Sequence, residues 1–218
     1  LANSNYNISY VSDNLSITKK DLTIAADNKT KIYGEDDSTF TVSYDGFVSG
    51  DDETDLDGTL SFDRDNGEDV GDYTITPSGL SSDNYNISYE TGTLEITQKA
   101  ITVTADAQSK VYGEEDPELT YQITSGSLVN GDSLTGYLSR EAGEDVGDYT
   151  INQDTLANSN YNISYVSDDL SITEKDLTII ADNKTKIYGE TDPVFTVGYE
   201  GFITGEDKNN LTGTLSFD

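Results

Sequence analysis

The sequence predicts a mainly β protein built as a tandem array of small modules, and three observations carry this prediction. The segment at residues 1–34 recurs at residues 156–189 with only three differences, which is the signature of an internal repeat. The hexapeptide NYNISY occurs three times, at spacings of 79 and 76 residues, which sets the length of a module. Short stretches with an apolar residue at every second position recur throughout, and this alternation is typical of half-buried strands.

With this period the chain divides into four parts. Two complete modules occupy residues 20–98 and 99–174, residues 1–19 match the last two strands of a preceding module, and residues 175–218 match the first half of a further module. No Gly/Ser-rich or Pro-rich linker separates the modules, so we expect stiff joints and an elongated rod. Half modules leave strand edges unpaired, so we expect both ends to pair with residues outside the two complete modules.

In the first complete module, seven short stretches carry the strand pattern. No stretch of about 11 residues has apolar residues at helical spacing, so we predict a module built mainly from strands. A short helical turn fits residues 51–56, and a polar loop with glycines fits residues 64–71. Tyr85, Ile87 and Tyr89 fall on one face of their strand and are predicted to point inward. In chain order the predicted strands are DLTIAA (21–26), KIY (31–33), FTVSY (40–44), TLSF (59–62), DYTIT (72–76), YNISY (85–89) and TLEIT (93–97).

A Tyr-Gly-Glu motif occurs three times, and its glycine is Gly34, Gly113 or Gly189. Each of these glycines ends a predicted strand. Glycine is the residue that adopts a positive φ or allows a close backbone approach without strain. We therefore predict one of these two conditions at all three positions.

The charge and composition exclude several classes of function. The chain has 42 acidic and 12 basic residues, a formal net charge of −30 that is spread along its length. Nucleic acids and anionic membranes require a basic surface, so neither is an expected partner. The chain has no Cys and no His, which excludes Cys/His zinc sites, disulfides and catalytic triads that use histidine. No apolar stretch approaches the roughly 18 residues of a membrane span.

Each complete module carries the same ordered set of short motifs. They are YGExDP (with Ser38 in place of Pro in the first copy), GD, GxLS, GEDVGDYxI and NYxIxY, closed by LxITxK. This set resembles the MBG-type (YGX-type) repeat of large bacterial surface proteins. The resemblance implies a small β-grasp-like or β-sandwich-like module in an extracellular, adhesin-like protein at the cell surface. It implies no catalytic residue and no required cofactor.

Calcium is an option, because this hard cation binds several carboxylate and carbonyl oxygens and the first module has dense acidic clusters. Neither cluster, at residues 51–58 or 63–67, completes the D-x-[DN]-x-[DN]-G calcium loop; in the second, Gly67 stands where the fifth position requires an oxygen ligand. The clusters also differ between the copies, so no metal site is assigned. The candidate ligands are Asp51, Asp55, Asp57, Asp63, Asp65 and Asp69.

Two carboxylate pairs recur, as Glu68-Asp69 and Glu144-Asp145. A glycoside hydrolase would place two carboxylates across a cleft. On a regular array of repeats we favour a solvated acidic loop, so the chain is predicted not to be an enzyme.

A Lys–Asn isopeptide bond is another option for a surface protein. Three lysines occupy matched positions, and so do two asparagines. A lysine beside a strand is more often exposed, and we favour that interpretation. The residues are Lys31, Lys110 and Lys186, with Asn84 and Asn160.

The sequence therefore predicts a mechanical role, as stalk or spacer repeats that hold an adhesive region away from a bacterial cell. Since the chain opens on Leu1, we interpret it as an internal piece of a longer protein. The expected partners are neighbouring modules of that protein or copies joined head to tail. Two alternatives stay open: modules that bind host glycans, mucin or another cell-surface ligand, and a self-associating biofilm or filament protein. The 15 tyrosines could stack on sugars, although most fall on inward faces of strands.

Overall fold

A computed structural model describes residues 1–217. The chain divides into two compact units, Leu1–Lys99 and Ala100–Asp218. The described residues form 16 strands and two short 3-10 helices, with no α-helix among them. This confirms the prediction of a mainly β protein. Several small sheets of two to four strands account for this content.

All seven strands predicted for the first complete module form, and the predicted helical turn is the 3-10 helix Glu53–Asp55. The fifth strand runs further than the sequence pattern indicated, because its polar continuation pairs with the strand before it. The strands are β1 (Lys20–Ala26), β2 (Lys29–Ile32), β3 (Val42–Asp45), β4 (Asp57–Arg64), β5 (Gly71–Ser81), β6 (Tyr85–Glu90) and β7 (Gly92–Thr97).

Two sheets build the first module, with strand orders β3-β1-β6 and β2-β7-β5-β4. Two residues separate β1 from β2 and one separates β6 from β7, so both pairs of strands pass directly from the first sheet to the second. Along this path β1 is parallel to β6, and β2 is parallel to β7. The crossing is tight, since a Cβ added to Gly92 would lie 2.6 Å from the carbonyl oxygen of Ala26.

Alternate residues of these strands form the core, as the period of two predicts. In the first sheet, Leu22, Ile24 and Tyr85 form a buried cluster. In the second sheet, Leu94 and Ile96 are buried in the same way. Each such Leu or Ile contributes about 1.5–3 kcal/mol by its removal from water.

The second complete module repeats this topology, with sheets β10-β8-β13 and β11-β12-β14-β9. The counterpart of the eight-residue β4 is here only two residues long. After these strands the third copy contributes one antiparallel pair, β15 with β16, and a 3-10 helix, Lys208–Asn210. The strands are β8 (Lys99–Ala105), β9 (Gln108–Val111), β10 (Tyr121–Ser125), β11 (Ser139–Arg140), β12 (Gly147–Asn152), β13 (Tyr161–Val166), β14 (Asp169–Thr173), β15 (Thr178–Ala181) and β16 (Val197–Glu200).

Residues 1–19 contain no strand, although NYNISY at residues 5–10 is identical in sequence to residues 84–89, which contain most of β6. Val11 and Ile17 of this segment are exposed. Its last residue contacts the first module, where the Lys19 ammonium donates to the carbonyl of Ser82 at 2.7 Å. The expected strand pairing of residues 1–19 is therefore not present within the described chain, and pairing with another chain stays a prediction.

None of the helices in residues 1–217 has the length and apolar character needed to cross a bilayer.

Candidate functional site

The Tyr-Gly-Glu motif forms a tight turn at the end of β2. The amide of Glu35 donates to the carbonyl of Ile32 at 3.0 Å, and the Glu35 carboxylate accepts from the amide of Ile32 at 3.3 Å. Gly34 has a φ of +82°, and the equivalent Gly113 and Gly189 have φ values of +84° and +89°. The prediction of a positive φ at these glycines is confirmed, since such a turn requires one at its third residue.

Lys31 of β2 points into the module and its side chain is only 4% exposed. Its ammonium lies 2.6 Å from Asp37 Oδ1 and 2.5 Å from Glu68 Oε2. Asp37 follows the Tyr-Gly-Glu turn, and Glu68 lies in the loop between β4 and β5. One lysine thus links the end of β2 to two loops.

Arg64, the last residue of β4, completes the group. Its Nε lies 2.6 Å from Asp37 Oδ2, and its Nη2 pairs with Glu68. Its Nη1 donates to the carbonyl of Gly67 at 2.7 Å. We call Lys31, Asp37, Arg64 and Glu68 the four-charge cluster; it contains two cations and two carboxylates and is locally neutral.

The second module contains the same cluster, formed by Lys110, Asp116, Arg140 and Glu144. Lys110 Nζ lies 2.7 Å from Asp116 and 2.5 Å from Glu144, and Arg140 Nε lies 2.7 Å from Asp116. The Lys110 side chain is 3% exposed. In the third copy Lys186 pairs with Asp192, and there the lysine side chain is 46% exposed.

The cluster holds its members in their charged forms. Burial alone lowers the pKa of Lys31, but its hydrogen bonds to Asp37 and Glu68 outweigh burial and raise the pKa above the ordinary value. The hydrogen bond from Lys31 holds the pKa of Glu68 below its usual range. The Arg140 guanidinium, followed by Lys110, lowers the pKa of Asp116 to about 2.

These directions do not favour a carboxylic acid that donates a proton or a lysine amine that attacks another group. A general acid needs a raised carboxyl pKa, and an amine nucleophile needs a lowered one. The Lys31 ammonium also contacts two carboxylates in place of the Asn84 amide that a Lys–Asn isopeptide would use. The cluster is therefore suited to hold strands and loops together.

The GEDVGDY loop after β4 is built around a tyrosine ring. Gly67 has a φ of +142°, and a Cβ added to it would lie 2.4 Å from the Tyr73 ring. The Arg64 guanidinium carbon lies 5.4 Å from the centre of the same ring, within cation–π range. The Tyr73 hydroxyl donates to the carbonyl of Asp69 at 2.9 Å. The motif is thus explained by packing, and the second module repeats it around Tyr149.

Other tyrosine hydroxyls tie loops to the first sheet. Tyr85 donates to Asp51 Oδ2 at 2.6 Å and accepts from the amide of Val48 at 3.0 Å. Tyr161 makes the equivalent bonds to Asp132 and the amide of Val129. These rings lie inside their modules, as the alternation predicted, and not on a sugar-stacking surface.

The six calcium candidates are not brought together into one site. Within residues 1–217 no group of three acidic side chains has the arrangement needed to hold a metal ion. Asp51 accepts from Tyr85, and Asp55 accepts from the amide of Asp52 in the cap of the 3-10 helix. Asp65 accepts from the amide of Thr74 at 3.1 Å.

The remaining three candidates lie apart in the chain. Asp57 opens β4 and Asp63 lies near its end. Asp69 supplies its backbone carbonyl to Tyr73. Calcium binding at these residues stays a prediction without a site.

Sequence reasoning did not identify the four-charge cluster. The signal was present, because Lys, Asp, Arg and Glu recur at matched motif positions in both complete modules. Among so many acidic residues, however, the sequence does not indicate which carboxylates meet the few cations.

Known proteins support one assignment. No curated protein and no solved structure matches the chain. The family model of the MBG domain (YGX type) matches three successive segments, residues 22–95, 101–171 and 177–218. The residues of both four-charge clusters and of the first two Tyr-Gly-Glu turns lie inside the first two of these segments. The chain is therefore a tandem array of MBG domains of the YGX type and belongs to that family.

Proposed function

We propose that these modules are the load-carrying spacer repeats of an extracellular bacterial surface protein, whose stalk holds an adhesive region away from the cell. Family membership supports a repeat of surface proteins, and the geometry of each module supports the mechanical part. In this role the modules perform no chemical step. They provide length and resistance to unfolding under tension.

The observation that carries the proposal is the parallel pairing of the first two strands of the module with its last two, β1 with β6 and β2 with β7. The chain enters the first module at β1 and leaves it at β7. The β1–β2 path runs alongside the β6–β7 path, from Lys20 opposite Tyr85 to Ile32 opposite Thr97. A pull between Lys20 and Thr97 would slide one path along the other. All the hydrogen bonds between them would then share the force, in contrast to an unzipping geometry in which they break one at a time.

The second module has the same feature in its second sheet. There β9 pairs in parallel with β14, from Gln108 opposite Leu170 to Val111 opposite Thr173. The repetition of the arrangement in both complete modules supports a role shared by every module.

The four-charge cluster reinforces this arrangement. Lys31 lies on β2, one of the strands that would slide, and it is bound to residues of two loops outside the sliding pair. Displacement of β2 would separate a buried ammonium from both carboxylates, which is costly in a medium of low polarity.

Force spectroscopy on the whole chain tests the proposal. We expect two similar unfolding events, each releasing roughly 25 nm of chain, as estimated from the extended length of residues 20–97. Ser88→Pro interrupts β6 where it pairs with β1, and should lower the unfolding force of the first module.

Ser78→Pro is the matched control, because Ser78 is equally exposed but pairs with β4, outside the sliding strands. It should lower the unfolding force less than Ser88→Pro does. Equal effects of the two substitutions, or unfolding at forces typical of unzipped sheets, would refute the shear geometry and with it the mechanical role.

A further inference from the structure

The second module lacks a pair of phenylalanines that the other two copies share. In the first module the rings of Phe40 and Phe62 pack with their centres 5.8 Å apart. In the third copy Phe195 and Phe217 form the same pair, with their ring centres 5.5 Å apart. Residues 99–174 contain no phenylalanine, so the second module must fill this place with other side chains or leave it open.

Two differences in sequence account for the missing pair. Leu119 stands three residues after the aspartate of the four-charge cluster, where the first module has Phe40. The first module reads LSFDR at residues 60–64, whereas the second reads LSR at residues 138–140 and so has no counterpart of the second phenylalanine. At this point β11 is only two residues long, against eight in β4.

A cavity of about 320 Å³ lies at this place in the second module. Leu138 and Leu156 are buried in its wall, and Leu119 lies at the position of one missing ring. Apolar cavities of about 150 Å³ stay dry and take up a benzene-sized molecule, so this one has room for a phenyl ring. Its lining residues include Leu119, Tyr121, Leu134, Tyr137, Leu138 and Leu156.

One wall of the cavity is held by a tight turn. The amide of Leu156 donates to the carbonyl of Gln153 at 3.1 Å, and Asp154 within this turn has a φ of +46°, which is uncommon for a residue other than glycine. The Thr155 hydroxyl accepts from the amide of Tyr137 at 3.2 Å and so joins the turn to the segment before β11. Both segments are fixed by backbone contacts, as in ligand sites that form before the ligand binds.

The opening of the cavity also differs between the copies. Tyr137 stands where the first and third copies have Thr59 and Thr214, and it is 64% exposed. An aromatic ring at this place can meet another ring edge to face. Glu118, which is also exposed, adds a carboxylate to the lining. In a chain of net charge −30, this carboxylate favours a cation beside the bound ring.

We propose that this cavity binds a phenylalanine side chain from a basic segment of another protein, with the ring among the leucines and a neighbouring lysine or arginine beside Glu118. The ligand supplies the ring that the first and third copies take from their own chain. This comparison favours an aromatic side chain over a sugar, because a wall of leucines offers few hydrogen-bonding groups. A second copy of this acidic chain does not complement the charge at Glu118. The inference concerns one module and holds whether or not the array serves as a stalk.

Methyl NMR of the full chain tests the proposal, with capped Lys-Phe-Lys and Lys-Ala-Lys tripeptides as probes. The phenylalanine peptide should shift the methyl signals of Leu138 and Leu156 saturably. The alanine peptide should bind roughly tenfold more weakly or less, since it buries no ring. N-acetylglucosamine serves as the sugar probe and should leave these signals unchanged.

Two variants locate the binding in the cavity. Leu119→Phe returns a phenylalanine to it and should weaken binding of the phenylalanine peptide several-fold. Phe62→Ala opens the equivalent space in the first module, and the methyl signals of Leu60 and Leu80 should then respond to the same peptide. In the natural chain these two leucines are the matched control and should not respond.

Equal binding of the phenylalanine and alanine peptides would leave charge as the only attraction and would overturn the proposal. Shifts at Leu138 and Leu156 caused by the sugar and not by the phenylalanine peptide would assign the cavity to a glycan instead. A Leu119→Phe variant that keeps its amide spectrum and binds the peptide as tightly as the natural chain would place the binding outside the cavity. The absence of any peptide-induced shift at these leucines would also contradict the proposal.

Discussion

The ten residues ADNKTKIYGE occur twice, at residues 26–35 and 181–190, with identical sequence and different structure. In the first copy they contain β2, and the Lys31 side chain is 4% exposed. In the second, no strand forms between Ala181 and Val197, and the Lys186 side chain is 46% exposed.

The difference shows that this strand is determined by its partner and not by its own sequence. β2 has one neighbour in its sheet, β7, which lies more than 60 residues further along the chain. Among the described residues, none after Ile187 forms a strand beside residues 184–187, the counterpart of β2. The segment NYNISY behaves in the same way: at residues 84–89 all but its first residue lies in β6, whereas at residues 5–10 it forms no strand.

The largest expected effect tests whether burial gives Lys31 its importance. Lys31→Met should lower the free energy of unfolding of the first module by about 1–3 kcal/mol, because Asp37 and Glu68 lose their hydrogen-bonded ammonium. Lys186→Met removes the same group from an exposed pair and should cost less than about 0.5 kcal/mol. Urea unfolding followed by the amide signals of β7 measures the first, and the overall unfolding midpoint measures the second. Similar losses in both variants would contradict the interpretation.

A second comparison concerns the glycines of two Tyr-Gly-Glu turns, Gly113 in the second module and Gly189 in the third copy. Gly113→Ala and Gly189→Ala both place a side chain at a positive φ, but only at Gly113 would the new Cβ meet another side chain, Ile203. We expect a loss of about 1–3 kcal/mol in the second unit for Gly113→Ala and about 1 kcal/mol or less for Gly189→Ala. Thermal unfolding measures both. If the clash is the cause, Gly113→Ala combined with Ile203→Ala should show a favourable coupling. Additive losses would leave backbone strain as the only effect.

Much of the fold could be predicted because its signals are local or periodic. Alternation located the strands and their inward faces, as at Tyr85, Ile87 and Tyr89, and the glycine after each motif tyrosine indicated a positive φ. The repeat indicated tandem modules, which the family match confirms, although it could not show that residues 1–19 form no strand within the chain.

What could not be predicted depends on contacts between distant residues. Lys31 was expected to be exposed, because sequence alone does not show that Asp37 and Glu68 converge on it from two loops. The acidic clusters made calcium an option, because several carboxylates lie close together in the sequence. In the folded module these carboxylates do not converge on one point. Asp51 and Asp55 bond instead to Tyr85 and to the cap of a 3-10 helix.

In the second module, Arg140 pairs with Asp116 in addition to Lys110. We therefore expect the stability of this module to depend on pH in the acidic range. Asp116 has a pKa of about 2 in the folded module against an ordinary value of 3.8. A lowered carboxyl pKa contributes stability above the ordinary value, and this contribution is lost as the pH falls through the folded value. The loss should therefore occur between about pH 4 and pH 2. Since Asp116 is 40% exposed, we expect only about 1 kcal/mol after solvent screening.

Arg140→Gln removes the largest cause of that shift. The variant should be less stable than the natural chain near neutral pH, and the difference should narrow as the pH falls from 4 to 2. A carboxyl-carbon NMR titration should show the Asp116 midpoint moving up toward 3.8 in the variant. A midpoint that does not move would show that Arg140 does not set the charge state of Asp116.

The smallest expected effect is that of salt on the melting temperature. It distinguishes screening of charge repulsion from binding of calcium, and it compares the acidic segment of the first module with its counterpart in the third copy. Each four-charge cluster is neutral, so the excess negative charge lies on the rest of the surface, including DDETDLD at residues 51–57. The third copy has EDKNNLT at residues 206–212, with Lys208 in place of Glu53.

Raising NaCl to about 0.5 M should increase the melting temperature by roughly 2–4 °C through weaker repulsion. Because no three acidic side chains in residues 1–217 are arranged to hold a metal, CaCl₂ at the same ionic strength should give the same increase. It should also cause no saturable NMR shifts at residues 51–69 that are absent from residues 206–212. An additional, saturable effect of calcium confined to residues 51–69 would instead establish a site among the aspartates there and show that those side chains rearrange to bind the ion.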